Sequence, residues 1–286
     1  MGGRGGRWWD KKTKNAGAGV VFAAWALGWE SLVPFNAALS VWVLLLAPLL
    51  AGLLQQGQPR LTLAVAGGVT AAVMLGDSEA SKLALILGAG GAGLAWALAR
   101  PALVLRAVLW GFVPVVVAMP WAIQAVLSDA TFRALAPMMG FSLQHRMVIW
   151  QFVAARIAEH PVFGWGLGAA RAFRGAKETV AVVLPGVGWQ EVTLERLPIH
   201  PHNMPLQLWL ETGGVGVALV CAGLLVLGAR AKTGSRERSW STAVRVGGVV
   251  AGLSLTLASY EAWQAWILLS AALAVGVDRR GFGWRG

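Results

Sequence analysis

Charge is scarce in this chain. Asp, Glu, Lys and Arg make up 13% of its 286 residues, against roughly 25% in a typical soluble domain. So few charged groups cannot wet the surface of a soluble globule, which excludes a soluble enzyme and a disordered tail alike. Cysteine is almost absent. Cys221 stands alone, which excludes an internal disulfide and a metal site built from thiolates. Tyrosine occurs once while tryptophan occurs 16 times, a bias that suits membrane–water interfaces, where amphipathic rings settle. What remains is apolar: 57% of residues are hydrophobic, and mean hydropathy is +0.62.

A bilayer core takes about 20 apolar residues per helix. Eight runs approach that length: 16–33, 35–54, 61–76, 83–99, 103–126, 206–229, 243–259 and 262–277. The expected fold is therefore all-α: a polytopic integral membrane protein of about eight transmembrane helices. It forms a single membrane domain over 1–286, with five spans in 1–126, a large periplasmic loop at 127–205 and three spans in 206–286. The run at 16–33 reads as a retained span rather than a cleaved leader.

The cations set the orientation. If the N-terminus is cytoplasmic, 16 of the 24 Lys and Arg flank cytoplasmic span ends, the short outer loops hold only Lys82, and the rest fall in 127–205. That asymmetry predicts cytoplasmic N- and C-termini. The net charge of +11 then faces anionic membrane lipids rather than nucleic acid. Gly248 and Gly252 form a small-xxx-small pair suited to close helix packing. The glycines at 88, 90, 91 and 93 lie within a span and lack the Lys-Ser/Thr of a phosphate loop, so they read as packing positions.

Polar residues gather at the outer corners: Trp29 and Glu30; Asp77, Ser78, Glu79 and Lys82; Tyr260, Glu261, Trp263 and Gln264. The long outer segment opens with an amphipathic stretch from Ser142 to His160, in which Leu143, Met147, Trp150, Ala154 and Ile157 recur at helical spacing. It reads either as a helix resting on the bilayer or as a lid carrying Arg146 towards a phosphate, whose oxygens match a guanidinium fork. Gly164-Trp165-Gly166-Leu167-Gly168 has no strand before it and reads as a turn. His200-Pro201-His202-Asn203-Met204-Pro205 leads into the sixth span, and Pro205 suits a first helical turn. Asn203, Gln207 and Glu211 then share one helix face. Glu211 at that depth needs a partner, a proton or a wet cavity; it reads as functional or as a structural pair. His200 and His202 read as a metal pair without an evident third ligand, or as a base at an interface.

Arg146-x-x-Ile149-Trp150 followed by Ile157-x-x-x-Pro161-x-Phe163-Gly164-Trp165-Gly166-Leu167-Gly168 resembles the signature of the O-antigen ligase and polymerase superfamily. His202-Asn203, nine residues and Gly213 resemble its next motif, as do Leu206-Gln207-Leu208 and Glu211-x-Gly213-Gly214-Val215-Gly216. The resemblance covers about 140–216. It implies a metal-independent membrane glycosyltransferase without a cofactor, in the bacterial inner membrane. The donor would be an undecaprenyl-pyrophosphate-linked glycan and the acceptor lipid A–core or another glycan. By position, His202 would be catalytic with Glu211 tuning it, and Arg146 would bind pyrophosphate, with Lys82, Asn203 and Gln207 as further substrate-binding candidates. His200 does not match the motif. Two departures stand out: family members commonly have ten or more spans, and the outer loop that often carries Ser-Arg reads Ser78-Glu79-Ala80-Ser81-Lys82 here. The competing class is a transporter or a structural membrane subunit.

Overall fold

The computed structural model describes residues 29–173, 177–184, 187–231, 236, 238–258 and 270. It is mostly helical. In chain order come α1 (Trp29–Gln55), α2 (Pro59–Leu75), α3 (Glu79–Ala97), α4 (Pro101–Val126), α5 (Asp129–Leu135) and a 3-10 turn (Ala136–Met138). They are followed by α6 (Phe141–Glu159), α7 (Ala169–Ala172), β1 (Lys177–Leu184), β2 (Gly188–Glu195), α8 (Met204–Arg230) and α9 (Trp240–Ala258).

Among the described residues five helices are long and apolar enough to cross a membrane: α1 from Asn36, α3, α4, α8 and α9. Helix α2 is apolar but has only 17 residues. Most of the expected first span, and the last span at 262–277 apart from Ser270, with the corner at 260–264, lie outside the described residues. Two boundaries differ from expectation. Helix α1 continues through Pro34 with no break between a first and a second span. Helix α3 starts early because Ser78 caps it, its side chain accepting the Ser81 N–H. Lys82 therefore sits in the first turn of a helix rather than in a loop.

The all-α expectation also fails locally. β1 and β2 form an antiparallel hairpin in the segment between α4 and α8. Thr179, Val180, Val182 and Val183 in β1, and the alternation in Gly188–Glu195, are ordinary strand signals. The strand edge is closed by a side chain. Gln144 on α6 donates to the Val183 carbonyl (2.9 Å) and accepts the Val183 N–H (2.8 Å), imitating one rung of a ladder.

The spans form two packed groups. In the first, α3 and α9 run antiparallel at very short range. A Cβ on Gly88 would lie 2.9 Å from the Gly247 carbonyl oxygen, and one on Gly91 2.8 Å from Val250. Glycines thus let the backbones touch, as lipid-embedded helices require. Gly248 meets Ala47 of α1 in the same way, as its small-residue spacing predicts, while Gly90 and Gly93 have open space beside them. In the second group α4, α6 and α8 enclose a core containing Val116, Ile149, Val153, Leu206, Trp209 and Leu210. The apolar face of α6 is therefore covered by helices α4 and α8. Pro120 lacks an N–H and cannot bond the Val116 carbonyl four residues back; the buried Trp209 indole donates to it instead at 2.8 Å.

The two groups share a basic end. Trp96 stacks on Trp240 (ring centroids 4.7 Å apart), and Ala95, Val104, Ala243 and Val246 cluster there. Arg106 reaches from α4 to the carbonyls of Gly228 (3.1 Å) and Ala231 (2.7 Å) at the end of α8, satisfying acceptors that a helix C-terminus leaves open. The segment from α5 to β2 lies at the opposite end.

Candidate functional site

The site forms where α6, the turn before α8 and the end of α9 meet. Helix α6 follows its apolar period from Phe141 and stops at His160, before Pro161. Its buried side carries Gln144, Met147, Ile149, Val153 and Ile157, which leaves His145, Arg146 and Trp150 directed at neighbouring elements. Trp150 donates its indole N–H to the Pro201 carbonyl at 2.9 Å. The His145 ring bonds the Glu195 carbonyl at 2.9 Å, with Nε2 as donor. Arg146 donates to the carbonyl of Ala258 at 2.6 Å, the last described residue of α9.

Asn203 caps α8: its Oδ1 accepts the Leu206 N–H at 2.9 Å, and its amide donates to the Leu257 carbonyl at 3.0 Å. One residue thus starts α8 and ties it to α9. His202 precedes it in the left-handed region (φ 52°), a conformation rare outside glycine though less so for His. Its N–H donates to Nδ1 of His200 at 3.2 Å, and the two rings lie 4.2 Å apart. Burial pushes both pKa values down, His200 to about 4 and His202 to about 3. For His200 the Arg146 charge adds to burial; for His202 the neighbouring His200, Arg146 and His145 do so in that order. Both rings are therefore neutral at physiological pH beside a fixed cation.

Gln207 and Glu211 follow on α8, each 1% exposed, with the Gln207 amide donating to Glu211 Oε1 at 3.1 Å. Lys82 pairs with Glu79 at 2.8 Å. Because α3 and α9 are antiparallel, with Ala84 and Leu255 in one cluster, the first turn of α3 lies at the Ala258 end, where Arg146 anchors. Among the described residues no three His, Cys, Asp or Glu side chains gather as a metal-holding group.

Helix α8 breaks at Gly213 (φ 60°, ψ −161°), and the loop after α6 fills the break. Trp165 and Gly166 donate their N–H groups to the carbonyls of Leu210 (2.8 Å) and Glu211 (3.0 Å). Gly214 and Val215 donate to the carbonyls of Pro161 (2.8 Å) and Val162 (3.2 Å). The backbones approach so closely that a Cβ on Gly164 would lie 2.6 Å from the Glu211 carbonyl carbon. The two glycine-bearing stretches seen in the sequence are thus one interlocked joint, which fixes the helix of Arg146 against the half-helix of Gln207 and Glu211.

Residues 61–221 match the family profile described as O-antigen ligase, a stretch that includes α3, α6, the turn before α8 and α8 itself as far as Cys221. The chain belongs to the O-antigen ligase family. Relatives point the same way. A protein named "Putative polysaccharide ligase" from Rickettsia conorii is 31% identical over 129 residues, 45% of this chain and 29% of that protein. Its counterparts in Rickettsia bellii (31% over 133 residues) and Rickettsia typhi (30% over 129) cover 45% of this chain and 30% of those proteins. The chain thus matches under a third of the length of the curated relatives. No solved structure matches it.

For an O-antigen ligase relative, three participants at this site went unassigned in the sequence. His145 contributes to the electrostatics of His202; His200, set aside because it misses the motif, holds the His202 backbone; Trp150 pins the turn. Helical spacing placed Trp150 and Arg146 on α6, but no local signal ties either to residue 201 or 258.

Proposed function

We propose that this chain is a membrane glycosyltransferase moving a glycan from undecaprenyl pyrophosphate to an acceptor hydroxyl at the periplasmic face. The observation that carries the reading is the convergence of Arg146 with a neutral pair, buried His200 and half-buried His202, at one end of apolar spans, in a member of the O-antigen ligase family. The end-to-end charge asymmetry, with Arg60, Arg100, Arg106 and Arg230 at the far end, supports a cytoplasmic far face and a periplasmic site. "Ligase" in the family description favours lipid A–core as the acceptor over a growing lipid-linked repeat.

In this reading the acceptor oxygen attacks the sugar C1, and the C1–oxygen bond to pyrophosphate breaks. The leaving undecaprenyl pyrophosphate takes the bonding electrons. Arg146 stabilises the charge that gathers there, with Lys82 as a second cation. The hydroxyl proton passes to a ring nitrogen of His202. Free His202 is a weak base, because burial and Arg146 both disfavour its cation; a bound pyrophosphate offsets Arg146 and raises its basicity. Gln207 and Glu211 hold the floor of the site, and Asn203 sets the start of α8.

The test is transfer by the purified chain in proteoliposomes, from an undecaprenyl-pyrophosphate-linked oligosaccharide to lipid A–core, with and without EDTA. The expected result is a chelator-insensitive product. Absence of transfer to lipid A–core and to a second lipid-linked glycan would remove the reading.

A further inference from the structure

The loop that fills the break in α8 carries an apolar surface that is exposed among the described residues. Val162, Phe163 and Leu167 are 55%, 76% and 74% exposed. Trp165 is 38% exposed and donates its indole N–H to the Arg156 carbonyl at 2.8 Å. Arg171, four residues beyond Leu167, is exposed as well.

The level of this loop follows from helix lengths. Helix α3 has 19 residues between its two caps, a rise of about 28 Å at 1.5 Å per residue, which matches a hydrocarbon core of about 30 Å. Beyond its break, the stretch of α8 from Gly214 to Arg230 rises about 26 Å at 1.5 Å per residue. Its basic end is tied to that of α3 through α4, by Arg106 and the cluster of Ala95, Val104, Ala243 and Val246. That is close to the whole rise of α3, so the break at Gly213 falls near the level where α3 begins, which is also where Asn203 bonds Leu257. The loop docks there, where chain, indole and cation meet the requirements of a headgroup boundary.

We propose that Pro161–Leu167 is an interfacial anchor, with Val162, Phe163 and Leu167 in the lipid of the leaflet on this side and Arg171 among its phosphates. The half of α8 before the break, with Gln207 and Glu211, starts at Asn203 beside Leu257 of α9 and so runs along this boundary rather than deep in hydrocarbon. Lipid is favoured over a stacked glycan because the most exposed groups are aliphatic or phenyl and lack a hydrogen-bonding edge.

The inference rests on the membrane location alone, so it is read without any activity. Cys221 is the only native cysteine, and Cys221→Ala gives a background for single labels. Phe163→Cys, Leu167→Cys and, as the control on the exposed β2 residue, Glu191→Cys would carry a nitroxide in phosphatidylethanolamine–phosphatidylglycerol liposomes. At 163 and 167 collisions with oxygen should exceed those with a water-soluble nickel chelate, with the reverse at 191. Nickel collisions at 163 and 167 equal to those at 191 would overturn the proposal. So would labels at both positions shielded from both reagents, which would indicate a protein or glycan cover. If one variant fails to insert, the other carries the readout.

Discussion

A single methyl group at Gly213 tests the joint that organises the site. Its backbone (φ 60°, ψ −161°) lies in a region essentially reserved for glycine, and holding alanine there costs about 1–3 kcal/mol. The added Cβ would also overlap the Val162 carbonyl. The alternative is for α8 to straighten and expel the loop. Four backbone bonds would then be lost, from Trp165, Gly166, Gly214 and Val215. A regular helix would regain two, Leu210 to Gly214 and Glu211 to Val215. At about 1 kcal/mol net per bond the difference is about 2 kcal/mol. Both routes therefore give a loss of about 2 kcal/mol, with transfer activity falling because α6 is no longer fixed to α8. Gly223→Ala is the matched control: it lies in the same helix with open space around its Cβ position and should be neutral or stabilising by up to about 1 kcal/mol. Thermal unfolding in nanodiscs and protease nicking at 161–168 report the two effects. Gly213→Ala with wild-type unfolding and an uncut loop would refute the interlock.

Arg146→Lys keeps the charge but loses the fork and should lower transfer; Arg146→Ala should lower it further at normal membrane abundance, and undiminished transfer by the alanine variant would remove Arg146 from the site. Trp209→Phe strands the Val116 carbonyl that Pro120 cannot serve, so unfolding should become easier by about 1–3 kcal/mol. Because both His rings are held neutral down to about pH 4 and about pH 3, while unfolded His titrates near 6.5, their contribution to stability is complete above about pH 6.5 and is lost as pH falls towards 4. An acid titration of unfolding should show this decline, and His202→Gln should flatten it; stability that rises on acidification through 6 to 4 would contradict the assignment.

Five of the eight expected spans, and the family, were legible because both rest on local chemistry. Hydropathy over 20 residues needs no tertiary information, and the Arg146, Gly164 and His202–Gly213 motifs each lie within a short stretch of chain. The amphipathic period of 142–160 likewise identified α6 almost to the residue. What it could not identify was the cover of that face, because a bilayer and a pair of helices present the same apolar surface. The hairpin was missed although Thr179–Val183 has strand chemistry, since one short pair inside a helical chain has no periodicity to compare it with. The start of α3 was misplaced because an apolar count begins at Leu83, whereas the Ser78 cap begins the helix. Nothing local tells that the N–H groups of Trp165 and Gly166 complete a helix more than 40 residues away. The same holds for His200, whose contribution is a ring nitrogen presented to the next residue but one.

The central claim, that His202 acts on the transferred glycan while His200 holds it in place, is tested most directly with purified His202→Ala and His200→Ala in the lipid-pyrophosphate transfer assay. Donor binding and EDTA sensitivity would be measured alongside. The account predicts that His202→Ala loses turnover far more than donor affinity, that His200→Ala retains more activity than His202→Ala, and that chelator changes neither. Full transfer by His202→Ala, or equal, chelator-sensitive losses in both variants, would contradict it.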